Sequence, residues 1–150
     1  MKIAIGSDHA GFRLKERIRA FLAERGMAVE DFGTSGAEPS VDYPRFAQEV
    51  GRAVAAGRAE RGILLCGTGI GMSMAANRIR GVRAALCHDH YTARLCRAHN
   101  DANVLCVGGR TTGTDVALEI VATFLETGFE GGRHERRVQL IHSIEDVETE

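Results

Sequence analysis

Apolar and polar positions change period repeatedly along this chain. Lys2–Ser7 (KIAIGS) reads as a strand, and Phe12, Ile18, Phe21 and Leu22 then recur at helical spacing until Gly26, a residue suited to ending a helix. Met27–Phe32 reads as a second strand, followed by an irregular Gly/Ser/Pro stretch from Gly33 to Pro39. Pro44 opens a second helix where proline is well placed, and its apolar positions run through Phe46, Val50 and Val54 to Gly57. Gly62–Cys66 (GILLC) is a continuous apolar run, the pattern of a strand covered on both faces. GTGIG follows, then a helix from about Met72 to Ile79. Val82–Cys87, Tyr91–Ala98, Val104–Val107 and Asp115–Glu126 continue the alternation of strand and helix, and Glu135–Val147 reads as an amphipathic C-terminal helix.

Strands and helices that alternate in units of about 30 residues or fewer predict crossover connections and a parallel sheet. The expected fold is α/β: a Rossmann-like three-layer sandwich, with a five-stranded parallel sheet and helices on both faces, formed by residues 1–150 as a single domain. In such sheets ligands bind outside the carboxyl ends of the strands. That rule selects Ser7–Gly11, Gly33–Pro44, Cys66–Gly71, Cys87–His90 and Gly108–Gly113.

Composition narrows the partners. Of the 150 residues 44% are hydrophobic and 26% charged, and 19 basic against 20 acidic side chains leave a net charge of -1. That balance supplies no electrostatic reason to bind nucleic acid or an anionic membrane. Apolar runs such as Ile63–Cys66 fall far short of the ~20 residues of a membrane span, and Asp8 interrupts what could have been a signal-peptide core. A cytoplasmic protein is expected. Its four cysteines, at 66, 87, 96 and 106, form no C-x-x-C pair and so suggest reduced thiols rather than a zinc or redox motif.

Cys66-Gly67-Thr68-Gly69-Ile70-Gly71 is the sharpest local signal. Its glycines let backbone approach a ligand closely, and amides at the following helix start face negative charge. A thiol at the strand end, facing those amides, is placed where a thiolate is favoured. The plain alternative is a glycine-rich turn after a buried cysteine. A dinucleotide fingerprint fits poorly, because Met72 stands where the third glycine belongs, although Asp89 lies about twenty residues on; a Walker loop is excluded, because Gly-Lys-Ser/Thr is absent.

Asp8 suits a helix N-cap, and the adjacent His9 is a natural proton carrier or an exposed loop residue. His99, in His99-Asn100-Asp101, suits either the end of a helix or a catalytic role. His88-Asp89-His90 looks like a metal pair but lacks an ordered third and fourth ligand, so no metal is expected. Arg133 and Arg137 lie four apart at the start of the C-terminal helix, where cations oppose the helix dipole unless an anion sits between them. A solvated basic face balanced by the acidic tail Glu145–Glu150 is the competing reading. Gly108-Gly109-Arg110 repeats the Gly-Gly-Arg arrangement of Gly131-Gly132-Arg133 at the end of the fifth strand.

SDHAGF near the start, DYP at 42–44, CGTGIGMSMAAN at 66–77, RAHNDAN at 97–103 and GGRHERRV at 131–138 together resemble the family of ribose-5-phosphate isomerase B and galactose-6-phosphate isomerase subunits. The resemblance spans Met1 to about Ile144. It implies that Cys66 is the base moving a proton between C1 and C2 of a sugar phosphate through an enediolate. It gives the enediolate oxygen to the amides of Gly67, Thr68, Gly69, Ile70 and Gly71 and to the Thr68 hydroxyl. His99 then opens the furanose ring as an acid, Asn100 holds substrate hydroxyls, and Asp8 and His9 contact the sugar and phosphate. Arg110, Arg133 and Arg137 match polar and phosphate contacts. Relatives without the cysteine use a glutamate on the following helix; here that helix carries Ala75 and Ala76. The resemblance further implies a homodimer or homotetramer with shared active sites, a phosphorylated pentose as substrate, and no metal or organic cofactor. Each chemical group is expected at the carboxyl end of a strand or at a helix start. Two other readings are a hexose-6-phosphate isomerase, for allose or galactose 6-phosphate, and a non-catalytic sugar-phosphate-binding module.

Overall fold

The computed structural model describes residues 1–147, with side chains to Ile144, so the acidic side chains from Glu145 to Glu150 lie outside the described residues. Five strands and six helices follow one another: β1 (Lys2–Ser7), α1 (Phe12–Glu24), β2 (Ala28–Asp31), α2 (Tyr43–Ala55), β3 (Arg61–Cys66), α3 (Ile70–Ala76), β4 (Ala84–Leu86), α4 (His90–Ala98), β5 (Val104–Gly108), α5 (Thr114–Glu126) and α6 (Arg133–Val147). All strand pairs are parallel, in the order β2-β1-β3-β5-β4. The predicted α/β architecture is present.

Burial explains the order. The apolar runs of β3 and β5 occupy the centre, where both faces are covered, while the partly exposed β2 and β4 form the edges. One face carries Ile3, Ile5, Ile63, Leu65, Leu105 and Val107 against Ile18 and Leu22 of α1, Ala93 of α4 and Ile120 and Phe124 of α5. The other carries Ala4, Leu64, Cys66, Val104 and Cys106 against Val50 of α2 and Met72 of α3. Each fully buried aliphatic side chain of this kind contributes about 1.5–3 kcal/mol relative to exposure.

Several element ends differ from the sequence reading. α3 starts at Ile70 rather than Met72, because Gly69 turns the chain with φ 78 directly into the helix. β4 begins at Ala84 because the Arg83 amide donates to the Asn103 side chain instead of a strand neighbour. β2 loses a residue at each end, and α6 starts at Arg133, two residues early. Among the described residues no helix is long and apolar enough to cross a membrane.

Candidate active site

The register sets Ser7 beside Leu65 and Cys66 beside Gly108, so the loops after β1, β3 and β5 leave the sheet together. Backbone bonds stitch them: Asp8 N–H to Leu65 O, Gly109 N–H to Cys66 O, and Arg110 N–H to Gly67 O. Cys66 is 5% exposed, and the Gly69 amide donates to its sulfur at 3.2 Å. Gly69 is required for that contact. It combines φ 78 with a position where an added Cβ would lie 2.6 Å from Leu86 and 3.0 Å from the Val107 backbone. Thr68 Oγ1 accepts from the Ile70 amide at 3.2 Å, which leaves the exposed hydroxyl proton free to meet a ligand oxygen.

Asp8 is not the N-cap of α1, which is Gly11; it closes the turn just ahead of the helix. Its Oδ1 accepts from the Ala10 and Gly11 amides at 3.0 Å each, which leaves Oδ2 without a partner among the described residues. His9 Nδ1 accepts the Val41 amide at 3.1 Å, so in the neutral ring the proton resides on Nε2. The loop bearing Val41 is tied down by Lys15, 1% exposed, whose Nζ reaches Asp31 Oδ2 at 2.6 Å and Thr34 O at 2.8 Å. Arg110 is exposed, with its side chain alongside Gly67. Tyr43 belongs here too, although only its place in DYP pointed to it: a Cβ on Gly71 would come within 2.5 Å of the Tyr43 ring.

His99, Asn100, Arg133 and Arg137 lie elsewhere. His99 is the C-cap of α4, and Ala98 O accepts the Glu130 amide, so this group sits where β5 begins. Cys66 lies beside Gly108, where β5 ends. The four residue steps of β5 alone span about 13 Å. The expectation that every group gathers at carboxyl strand ends or helix starts is therefore corrected for His99, because α4 runs back to the amino edge before it ends. There the His99 and His134 rings stack at 4.0 Å and 9°, with Glu130 Oε2 3.8 Å from His99 Nε2 and 3.5 Å from His134 Nε2. His134 is 6% exposed, and burial first, then His99, Arg133 and Arg137, hold its imidazole below the ordinary range while Glu130 opposes them. Arg133 and Arg137 are exposed and make no hydrogen bond or ion pair among the described residues.

The donor atoms of His99, Glu130 and His134 fall within 4.8 Å of one another. The parallel rings aim their in-plane lone pairs side by side rather than at one point, so the arrangement is a stack before it is a metal cage. His88-Asp89-His90 is a helix start: Asp89 Oδ1 accepts from the Thr92 amide at 2.7 Å and from its hydroxyl at 2.9 Å. Those bonds lower the Asp89 carboxyl, with the neighbouring histidines adding to the effect. Cys87, Cys96 and Cys106 are buried free thiols, and burial pushes Cys106 up.

An open parallel sheet with a buried thiol on a glycine loop at its carboxyl edge defines a class, the α/β folds that take their ligands at strand ends. The chain belongs to the Ribose/Galactose Isomerase family, whose model matches residues 3–141, and it is an isomerase. It is 51% identical over 144 residues to ribose-5-phosphate isomerase B of Escherichia coli strain K12, covering 96% of both chains. It is 40% identical to D-erythrulose-4-phosphate isomerase of Pectobacterium atrosepticum, covering 99% of this chain and 97% of that one. The solved structure of Clostridium thermocellum ribose-5-phosphate isomerase B superposes with a TM-score of 0.96 at 55% identity, covering 97% and 98% of the two chains.

Proposed function

We propose that the protein interconverts ribose 5-phosphate and ribulose 5-phosphate, that residues 1–150 form its single catalytic domain, and that it acts as a homodimer or homotetramer with shared sites. One observation carries the reading: a 5%-exposed thiol ends a central strand with the Gly69 amide on its sulfur, in a chain of a sugar-isomerase family.

Ribose 5-phosphate arrives as a furanose. His99 donates a proton to the ring oxygen O4 as the C1–O4 bond breaks, and the O1 hydroxyl releases its proton to water as it becomes the aldehyde carbonyl. The Cys66 thiolate takes the proton from C2, the C–H electron pair forms the C1–C2 double bond, and O1 takes the negative charge. Amides of Gly67, Thr68 and Gly71 and the Thr68 hydroxyl meet that charge where it develops, while the amides of Gly69 and Ile70 are held by the Cys66 sulfur and by Thr68 Oγ1. The thiol then returns the proton to C1 while the O2 hydrogen passes to O1, leaving a ketone at C2. Asn100 holds hydroxyls, and Asp8 and His9 contact the sugar and phosphate. Arg110, Arg133 and Arg137 clamp the phosphate. His99, Asn100, Arg133 and Arg137 come from the neighbouring chain, since a sheet's length separates them from their own Cys66.

Ribulose 5-phosphate tests the base directly. Its O5 carries the phosphate, so no furanose closes and exchange at C1 requires only enediolate formation. In deuterium oxide the wild type is expected to wash deuterium into C1, and Cys66→Ala to lose this by about 10²–10⁴-fold while still folding and binding substrate. Retention of more than about a tenth of the wild-type rate overturns Cys66 as base. A non-catalytic binding module predicts no exchange even in the wild type. Comparing kcat/KM for ribose 5-phosphate, allose 6-phosphate and galactose 6-phosphate checks the pentose assignment, which a hexose preference would sink.

A further inference from the structure

The turn after His99 contains an unusual residue. Asp101 has φ 47, and among the described residues it is the only non-glycine with a positive φ. Glycine is the usual occupant of a left-handed position that ends a helix, and aspartate is one of the few others that tolerates it. The turn is closed by the Asp101 amide on Arg97 O at 3.2 Å and the Ala102 amide on Cys96 O at 2.9 Å. What aspartate adds over glycine is its carboxylate. Oδ1 accepts from Arg97 Nη1 at 2.8 Å, and Oδ2 lies 3.3 Å from Arg83 Nη2.

Both arginines grip the backbone of the same turn. Arg97, 3% exposed, also donates to Ala102 O at 2.6 Å and Thr127 O at 3.3 Å. Arg83 donates to Asn100 O at 3.3 Å and to Asp101 O at 3.0 and 2.8 Å, and its Nη1 pairs with His142 Nε2 at 2.9 Å. The carbonyls of Asn100 and Asp101 are thus fixed by Arg83, just ahead of β4, and the carboxylate of Asp101 neutralises Arg83 and Arg97 together.

We propose that Asp101 is a positioning residue for ring opening: its left-handed backbone, braced by Arg83 and Arg97, sets the direction in which His99 and Asn100 project from the end of α4. The proposal rests on the assignment of ring opening to His99. Asp101 touches no reacting atom. It acts through the turn, and a misplacement of about 1 Å in such a group can cost 10²-fold in rate.

The test compares two rates in one protein. Turnover of ribose 5-phosphate requires ring opening, whereas deuterium wash-in at C1 of open-chain ribulose 5-phosphate does not. Asp101→Gly keeps the φ but removes the carboxylate, and is expected to lower ribose 5-phosphate turnover about tenfold or more while wash-in stays within about twofold. Asp101→Asn, which tolerates the same φ and keeps an acceptor, is expected to fall in the same direction by a smaller factor. It carries the test if Asp101→Gly does not fold. Equal losses in both rates, or no loss in either, overturn Asp101 as a positioning residue. His99→Asn run in parallel separates the two assignments. If His99→Asn splits the rates and the Asp101 variants do not, only the present proposal fails. If His99→Asn does not split them, the ring-opening assignment itself fails.

Discussion

His134 illustrates how a side chain acquires a role from neighbours that its own motif does not announce. Its ring is stacked on His99, buried beside Arg133 and Arg137, and countered only by Glu130, so its imidazole is held below the ordinary range. The unfolded chain takes up that proton near about pH 6.5, where the folded chain still refuses it. Folding therefore loses stability as pH falls through that region and is unaffected above it. His134→Gln, which cannot titrate, is expected to lose less melting temperature than the wild type between about pH 7.5 and 5.5, and equal losses would contradict this. Side chains of this sort were the least legible in the sequence. Lys15 sits in an amphipathic helix and reads as surface, yet it is 1% exposed on Asp31 and Thr34. Tyr43 stood out only as part of DYP at 42–44, and the fold lays its ring on Gly71. Cys66 was legible because its signal is local: a thiol followed at once by glycines.

At the scale of elements, period alone located every strand and helix but not every end. The ends moved where one side chain or one φ decides them, as with Asn103 capturing the Arg83 amide and Gly69 turning into α3. Strand order was not legible, because pairing partners are chosen by tertiary packing. Yet the continuous apolar run of β3 did mark a strand buried on both faces, and it is the central one. The start of α6 tests the phosphate clamp. Arg133 lies in its first turn and Arg137 one turn on, both exposed and unpaired among the described residues. Arg137→Ala is expected to raise KM for ribose 5-phosphate by about 10–100-fold, the loss of a charge-assisted hydrogen bond of about 1.5–3 kcal/mol. The free protein should melt no lower, because a cation has left the positive end of a helix. Inorganic phosphate should raise the melting temperature of the wild type and lose that effect in the variant. An unchanged KM with an unchanged phosphate shift would reduce the arginines to a solvated basic face.

The whole molecule carries its candidate site residues in two groups, half-sites in the proposed assembly, at opposite edges of the sheet. Cys66 and the loops around it lie beyond the carboxyl edge of the sheet, while His99, Arg133 and Arg137 lie at the amino edge. Beside the second half-site, α6 leaves Leu140, Ile141 and Ile144 at 55%, 45% and 63% exposure, and on the thiol side Ile70 and Met74 of α3 are exposed at 45% and 69%. Apolar side chains grouped on single helix faces are the usual mark of a surface that another chain covers. In a two-fold dimer each chain would lend its His99 half to the other's Cys66 half, and both sites would be completed at once. That arrangement has a consequence no self-contained site shares. Cys66→Ala and His99→Asn are each expected to be nearly inactive alone. In a mixed dimer, one site carries both lesions and the other carries none. Random mixing of equal amounts, by co-expression or by unfolding and refolding together, should therefore restore about a quarter of wild-type turnover on ribose 5-phosphate. Turnover that stays at the level of the separate variants, with mixed dimers verified by differently tagged chains, would mean that Cys66 and His99 do not meet across an interface.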